Sequence, residues 1–269
     1  MDYVTATLFG LVAGVTEFLP LSAEGHLVLL RELFPFELGE QLAFVAVMEL
    51  AAALAALLYF KKVIFIMMQA IIRKLGRLPA NEKDLTMAFT LLLASIPAVV
   101  LGFLLQDILF TEEVAVITLT LSLSAIFFIY AEWCYYQNPP QGTLTIKRGL
   151  IMGLLTIIAL VPGFSRLGIA LAGGMLLGLS RFEAARFTIL LSIPILLSLG
   201  VTDLFKLFLH DDGMITWLPV LLLGLMTFLA ALASIHYGLS FIRKNTLWPF
   251  VWYNLILATF VGYVAFFIQ

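Results

Sequence analysis

The sequence contains little charge: only 12% of its 269 residues are Asp, Glu, Lys or Arg, while 62% are hydrophobic. A soluble domain carries about 25% charged residues, so this composition excludes an ordinary soluble protein. The net charge of −2 argues against nucleic acid as a partner, and the single Cys134 excludes a disulfide within the chain. The N-terminus lacks the basic region and small-residue cleavage site of a secretory signal, so we expect no removed leader. An integral membrane protein with one membrane domain is the class that remains.

Apolar segments of membrane-spanning length make up most of the chain. A spanning helix needs about 20 mostly apolar residues, and six segments meet this requirement. Two further apolar segments, Thr5–Leu30 and Gly149–Leu179, are interrupted by Pro20 and Pro162. Each predicts two short helices around a non-helical turn, which is tolerated at membrane depth only inside protein or beside a wet cavity. The six predicted spans are Leu42–Phe60, Met87–Leu105, Val114–Tyr135, Ala185–Phe208, Ile215–Tyr237 and Leu247–Ile268.

The charges between these segments predict their orientation. Basic connections face the cytoplasm, and here basic connections alternate with acidic or neutral ones. This alternation places both termini outside and predicts an all-α polytopic fold of two inverted halves, residues 1–138 and 147–269. Each half holds one re-entrant helical pair and three transmembrane helices. The basic groups lie within Lys61–Lys83, Lys147–Arg148, Arg181–Arg186 and Arg243–Lys244, and the other connections are Phe36–Gln41, Asp107–Glu113 and Asp211–Asp212.

A short internal repeat supports the division into two halves. The stretch GLVAGVTEFLPLS from Gly10 is similar to GLLTIIALVPGFS from Gly153, with one residue of slippage before the proline. Inverted repeats with paired broken helices commonly place a binding site near the membrane midplane, where the breaks meet. The alternative is chance similarity between two apolar, glycine-containing segments, and the charge pattern weighs against it.

Polar residues cluster in both interrupted segments. Ionisable side chains at membrane depth are costly and usually face a cavity or a partner. Two carboxylates with a histidine can bind a divalent cation or relay protons, whereas a guanidinium at the start of a short helix suits a phosphate group. The pattern therefore predicts an anionic, phosphorylated ligand reached from the membrane. The first cluster contains Glu17, Ser22, Glu24 and His26, and the second contains Ser165 and Arg166.

Two simpler alternatives concern the charged residues of these clusters. Glu17 and Arg166 can form a buried ion pair that only holds the two breaks together. Glu49, inside a predicted span, either reaches the same cavity or pairs with a basic side chain. No spacing of Cys and His residues fits a haem or metal site built from those residue types.

At these clusters the chain resembles the undecaprenyl-pyrophosphate phosphatase, or bacitracin-resistance, family. That family carries motifs of the form E-G-x-T-E-F-L-P-V-S-S-T-G-H and P-G-x-S-R-S-G-x-T. Here they read A-G-V-T-E-F-L-P-L-S-A-E-G-H from Ala13 and P-G-F-S-R-L-G-I-A from Pro162. The resemblance runs the length of the chain. It implies a multi-pass enzyme of the bacterial inner membrane that removes one phosphate from a C55 isoprenoid diphosphate, so that the lipid carrier for cell-wall sugars is recycled.

The resemblance also implies roles for individual residues. It makes Glu17 a metal-binding or acid–base carboxylate, His26 the proton shuttle or base, and Arg166 the diphosphate clamp. Ser22 and Ser165 become hydroxyl donors near the phosphates, with Gly163 beside them. The implied cofactor is a divalent cation, Mg or Ca, and the implied partners are the membrane and a polyprenyl diphosphate or monophosphate, with a homodimer left open.

Several motif positions depart from the family pattern. Ala13 stands in place of the first glutamate, Ala23 in place of the second serine, which is a favoured nucleophile, and Glu24 in place of the threonine. Thr156, Leu167 and Ala170 are further departures in the second half. Alanine can neither attack phosphorus nor bind a metal ion.

Three hypotheses follow from these departures. In the first, a rearranged phosphatase site uses Glu24 as a replacement metal-binding carboxylate beside Glu17, and Ser22 or a water molecule on the metal attacks phosphorus with help from His26. In the second, hydrolysis is lost and the fold binds or translocates polyprenyl phosphate across the inner membrane. A purely structural membrane subunit is a third class, but it leaves the retained polar cluster unexplained. The sequence favours the phosphatase.

Overall fold

The computed structural model describes residues 2–34, 38–109, 113–210 and 215–267. All regular elements within these ranges are helices. The acidic or neutral connections predicted at Phe36–Gln41, Asp107–Glu113 and Asp211–Asp212 lie partly or wholly outside the described residues. The helices are α1 (Tyr3–Glu17), α2 (Ala23–Leu33), α3 (Leu38–Tyr59), α4 (Lys61–Leu75), α5 (Glu82–Leu109), α6 (Val114–Gln137), α7 (Ile146–Ile158), α8 (Arg166–Leu176), α9 (Arg181–His210), α10 (Trp217–Lys244) and α11 (Trp248–Phe267).

Five helices in the described ranges are long and apolar enough to cross a membrane, namely α3, α5, α6, α9 and α10. Each coincides with a predicted span, and the 20-residue α11 coincides with the sixth. The predicted all-α, multi-pass membrane fold is therefore confirmed. α9 starts four residues before the predicted span because Ser180 and Glu183 form a capping box. The N–H of Glu183 donates to Ser180 Oγ at 3.2 Å, and the N–H of Ser180 donates to the Glu183 carboxylate at 3.4 Å.

Both interrupted segments fold as pairs of short helices. α1 ends at Glu17 and α2 begins at Ala23, while α7 ends at Ile158 and α8 begins at Arg166. A serine caps the start of the second helix of each pair by accepting a backbone hydrogen bond. Ser22 Oγ accepts from the N–H of Gly25 and Ser165 Oγ accepts from the N–H of Gly168, each at 3.1 Å. The same N-cap therefore restarts the helix after each break.

Glycines bring the first helix of each pair against a long helix of the other predicted half. α1 packs along α10, and α7 packs along α5. In both contacts two glycines four residues apart face the long helix with no room for a Cβ, which permits close backbone approach in a membrane. The contacting pairs are Gly10 with Leu223, Gly14 with Thr227, Gly149 with Thr90, and Gly153 with Ala94.

This packing gives the repeat a different register from the sequence comparison before the break. The contacts match Gly14 with Gly153, whereas the sequence comparison aligned Gly10 with Gly153. The second break is longer, with seven residues between Ile158 and Arg166 against five between Glu17 and Ala23. An alignment of the two halves that matches the serine caps after the breaks therefore does not match the glycines that pack equivalently before them. The boundaries of the two halves and their opposite orientation in the membrane stay predictions.

The basic connection predicted after the first span contains a helix that was not predicted, α4. Its buried side includes Met67 and Ala70, while Phe65 and Ile72 are 67% and 64% exposed. Basic residues without acidic ones flank this exposed apolar surface between positions 61 and 77. This combination is typical of a helix that lies on a membrane surface.

α8 is the most enclosed short helix and fixes one side of the site. Its residues 167–175 are all buried, and it packs against α6, α7 and α9. Arg166, the first residue of α8, is therefore held at the end of a helix that is surrounded by protein.

Candidate active site

A pocket lies where the two helix breaks meet. Its walls come from α1, α2, α3, α10, the second break and the start of α8. It contains about 690 Å³ of space not occupied by atoms, its open mouth included. Its charged lining residues are Glu17, Glu24, Arg31, Glu49 and Arg166.

The first break is held by side chains from the second half. The carbonyl of Pro20 accepts from Asn254 Nδ2 at 3.3 Å, and the carbonyl of Leu19 accepts from the hydroxyl of Ser165 at 3.4 Å. Asn254 lies in α11 and is fully buried. Non-helical backbone at membrane depth needs such protein partners, so these bonds explain how the chain can turn between Glu17 and Ala23.

The second break is held in the same way by a side chain from the first half. The carbonyl of Pro162 accepts from the hydroxyl of Thr120 in α6 at 2.6 Å. Gly163 has a φ of +93°, and a Cβ at this position would lie 2.8 Å from the carbonyl oxygen of Ile117. Only glycine satisfies both conditions, so Gly163 shapes the turn that presents Arg166.

Glu17 and Arg166 form an ion pair across the two breaks. Arg166 Nη1 lies 3.5 Å from Glu17 Oε1, and the side chains are 14% and 16% exposed. The ion pair considered from the sequence is therefore present. It is loose, however, because Nη1 of Arg166 is buried and makes no hydrogen bond in the described structure. Both residues also border a second, smaller pocket at the break, so the pair can still bind a ligand.

Two further carboxylates in the pocket have unused oxygen atoms. Oε2 of Glu24 and Oε2 of Glu49 are buried without a hydrogen-bond partner within the described residues. Buried polar atoms of this kind are uncommon and call for an ion, water or ligand. Glu49 reaches the cavity, which was one of the two alternatives for it, and Glu24 lies in the same pocket as Glu17 as predicted.

The two alanines that depart from the family motif also line this pocket. Ala13 lies one turn before Glu17 on α1, and Ala23 begins α2 next to Glu24. The departures therefore change the lining of the pocket itself. A carboxylate at position 13 and a hydroxyl at position 23 are both replaced by methyl groups there.

The predicted serines and Gly163 have structural roles in this geometry. Ser22 and Ser165 are 1% exposed, and each uses a lone pair to cap a helix. Ser22, Ser165 and Gly163 are not among the residues that line the pocket. Any role for them at the phosphates stays a prediction.

His26 faces away from the pocket lining and toward α11. Its Nδ1 lies 2.6 Å from the carbonyl oxygen of Ser22, which can only accept, so Nδ1 carries the proton. Nε2 lies 2.6 Å from the hydroxyl of Tyr253 and accepts from it when the ring is neutral. Both ring nitrogens are therefore engaged by protein partners in this structure, and the role of His26 as proton shuttle or base stays a prediction.

Arg31 is a pocket residue that sequence reasoning missed. It lies in the last turn of α2, just beyond the predicted interrupted segment Thr5–Leu30. A signal was available, because Glu24, Leu27, Val28 and Arg31 recur at helical spacing and so share one face of α2. All four line the pocket.

The site offers oxygen ligands for a cation but no preformed cage. Within the described residues, no group of three or more His, Cys, Asp and Glu side chains is arranged to hold a metal ion. Glu17 and Glu24 nevertheless present carboxylate oxygens to one pocket. This suits a cation such as Mg, which commonly takes one or two carboxylates and completes its shell with substrate phosphates and water.

The fold and the pocket together define a multi-pass helical membrane protein with an enclosed, charged site between two helix breaks. Residues 6–260 match the family model of the bacitracin resistance protein BacA. The chain belongs to this family, as the motifs at Ala13 and Pro162 predicted.

Relatives of known name align along nearly the whole chain. An undecaprenyl-diphosphatase of Micrococcus luteus is 34% identical over 265 residues, covering 96% of this chain and 95% of the relative. Undecaprenyl-diphosphatase 1 of Pseudoalteromonas translucida is 32% identical and covers 99% of each. An undecaprenyl-diphosphatase of Kineococcus radiotolerans is 36% identical, covering 97% of this chain and 93% of the relative.

Proposed function

We propose that this protein is a polyprenyl-diphosphate phosphatase of the bacterial inner membrane. It converts the diphosphate of a lipid carrier, undecaprenyl diphosphate in the named relatives, into the monophosphate and inorganic phosphate. The observation that carries the proposal is the pocket in which Arg166 Nη1, Glu24 Oε2 and Glu49 Oε2 are buried without hydrogen-bond partners in the described structure. The guanidinium suits an anionic headgroup, and the two carboxylates suit a cation that balances the negative charge of that headgroup.

Arg166 binds the phosphates in this proposal. Its guanidinium offers a planar fork of donors, and its position at the first residue of α8 places it beside free backbone N–H groups at the start of that helix. Donors fixed in advance stabilise the negative charge that develops on the transferred phosphoryl group. The apolar lining residues Leu27, Val45 and Met48 accommodate the lipid end of the substrate.

A water molecule is the nucleophile that this site favours. Ala23 has no hydroxyl, and the hydroxyl of Ser22 is buried as a helix cap. Attack of water on the terminal phosphorus breaks its bond to the bridging oxygen, which leaves as an oxygen of the lipid monophosphate. Glu17 or Glu24 takes up the proton of the attacking water.

A divalent cation is part of this proposal. Glu17 and Glu24 would hold it, and when bound it would polarise the phosphoryl oxygens and neutralise their charge. A homodimer stays a prediction.

Phosphate release tests the proposal directly. Purified protein in lipid nanodiscs is given C55 diphosphate with and without a chelator, and free phosphate is measured. We expect chelator-sensitive turnover that Arg166→Gln abolishes and that Arg73→Gln, on exposed α4 outside the pocket, leaves unchanged. Absence of turnover with retained lipid binding would instead support the lipid-binding or translocating alternative, in which Ala13 and Ala23 mark a lost catalytic step.

A further inference from the structure

Arg31 has no task in the function proposed above, yet it shares the pocket with Arg166. It is a half-buried residue in the last turn of α2. The pocket therefore contains two guanidinium groups, carried by two different helices. The question is what a second guanidinium adds.

The pocket runs along one face of α2. The lining residues of this helix extend from Ala23 to Arg31, a distance of about 12 Å along the axis at 1.5 Å per residue. Arg166 lies at the Ala23 end, because Ala23 and Arg166 also border the smaller pocket at the break, whereas Arg31 does not line that pocket. The two arginines therefore enter the site from opposite ends.

Glu24 shares the pocket with both of these cations. It interacts electrostatically with both Arg166 and Arg31, although only Arg166 comes from the second half of the chain. A ligand that fills the length of the pocket reaches lining residues at both ends, Arg166 at one end and Arg31 at the other.

Two forks of donors match two phosphoryl groups. Guanidinium binds a phosphate with paired, parallel hydrogen bonds, so one arginine serves one phosphate well. A diphosphate can present a separate phosphoryl group to each fork, whereas a monophosphate has only one phosphoryl group to offer.

We propose that Arg31 is the second phosphate-binding residue of this site and makes it selective for a diphosphate over a monophosphate. The inference rests on the proposed function for the kind of ligand, a polyprenyl phosphate, but not on hydrolysis. It also explains product release: once the terminal phosphate leaves, the monophosphate keeps only one of its two guanidinium contacts.

A purely structural role for Arg31 predicts a different result. A cation in the last turn of a helix stabilises the helix dipole, and Arg31 also offsets the charge of Glu24. Loss of either effect changes the stability of the protein, or the affinity for every anionic ligand alike. It does not change the preference between two phosphate ligands.

The test compares binding of two lipids to the full-length protein in nanodiscs. One is a polyprenyl methylenediphosphonate, whose bridging carbon prevents hydrolysis, and the other is the polyprenyl monophosphate. We expect Arg31→Gln to weaken binding of the diphosphonate about 10- to 100-fold, the effect of losing a charged hydrogen-bond partner, and to change monophosphate binding less than about threefold. Arg166→Gln is expected to weaken both, and Arg73→Gln neither.

Arg31→Lys provides a second variant if Arg31→Gln folds poorly. It keeps the charge at the end of α2 but loses the fork, so a selective loss of diphosphonate affinity is again expected. Equal losses for both lipids, or no loss for either, would overturn the inference. If Arg31 controls selectivity but the parent releases no phosphate from C55 diphosphate, the proposed hydrolysis is wrong and the inference about Arg31 stands. If the parent releases phosphate but Arg31→Gln leaves the selectivity unchanged, the proposed hydrolysis stands and the inference about Arg31 is wrong.

Discussion

Glu132 and Arg181 form one buried ion pair of this protein, and Glu17 and Arg166 form another. In the first pair, Arg181 Nε donates to Glu132 Oε1 at 2.8 Å and its Nη2 bonds the second carboxylate oxygen. Glu132 Oε1 also accepts from the N–H of Leu247 at 2.7 Å, and the guanidinium lies 3.9 Å from the ring centre of Tyr135. The carboxylate is thus fully engaged inside the protein.

The second pair has a different geometry. A single approach of 3.5 Å joins Glu17 to Arg166, Nη1 of the arginine makes no hydrogen bond in the described structure, and the pair faces a pocket. In this closed, bidentate pair the carboxylate already occupies the forked edge of the guanidinium that would bind a phosphate, so the pair serves the fold. An open pair in a cavity keeps its donors available, and residue types alone do not distinguish the two.

The largest effect is expected from opening the closed pair. Glu132→Ala leaves Arg181 and the N–H of Leu247 without their acceptor, and breaking a buried pair costs about 3–5 kcal/mol of stability. Thermal or denaturant unfolding in detergent measures this loss. Glu82→Ala is the control, because Glu82 pairs with Lys74 at 3.6 Å on the surface, where a pair contributes about 0–1 kcal/mol. Similar losses for the two variants would mean that the closed pair is not structural.

A large catalytic effect with little loss of stability is expected at Glu24. Glu24→Ala should lower phosphate release about 100-fold, as for the loss of an acid–base group, because it removes a carboxylate from the pocket. Unfolding should stay close to that of the parent. Turnover that survives this change would refute the role given to Glu24.

Restoring the family residues in the pocket sharpens the same test. Ala13→Glu with Ala23→Ser and Glu24→Thr rebuilds the usual motif where all three positions line the pocket. We expect the triple variant to exceed the parent in phosphate release, since it regains a carboxylate and a hydroxyl. A triple variant that folds but has lower turnover than the parent would show that the present set of residues is already adapted to its reaction.

A smaller effect on binding separates the two arginines. Arg166→Lys keeps the charge but loses the fork of donors, which should weaken lipid-phosphate binding by about 1.5–3 kcal/mol with little change in unfolding. Arg181→Lys should do the opposite, because its target is the carboxylate of Glu132. Lipid binding and unfolding are measured for both variants, and the same profile for both would remove the distinction between the pairs.

The smallest effect is expected at the helix caps. Ser22→Ala removes an N-cap and should cost about 1 kcal/mol of stability, with turnover retained per folded molecule. Ser165→Ala, its counterpart in the second half, should cost more, because it also removes the bond to the carbonyl of Leu19. A loss of turnover specific to Ser22→Ala, beyond the loss of folded protein, would return Ser22 to the position of nucleophile.

Sequence reasoning reached the breaks and most of the pocket because proline and buried charge are strong local signals. Pro20 and Pro162 interrupt the helices. Charged side chains at membrane depth need a cavity or a partner, which predicted a shared cavity for Glu17, Glu24 and Arg166. It missed α4, because basic residues that orient a connection do not reveal whether that connection is helical. It could not decide whether Ser22 is a helix cap or a nucleophile, and it could not predict the orientation of the His26 ring. Both properties depend on three-dimensional contacts, such as the contact of His26 with the distant Tyr253.

The bond between Pro20 and Asn254 has a consequence for the order in which the protein is made. The donor to the carbonyl of Pro20 is Asn254, which is synthesised 234 residues later. At 5–20 residues per second this is a delay of roughly 10–50 s. The carbonyl of Pro162 has no such wait, because Thr120 precedes it by 42 residues. The first turn therefore enters the membrane unsupported and must be sheltered by water or by the insertion machinery until the last helix arrives. A nascent chain released before Asn254 lacks the donor that this carbonyl has in the folded protein.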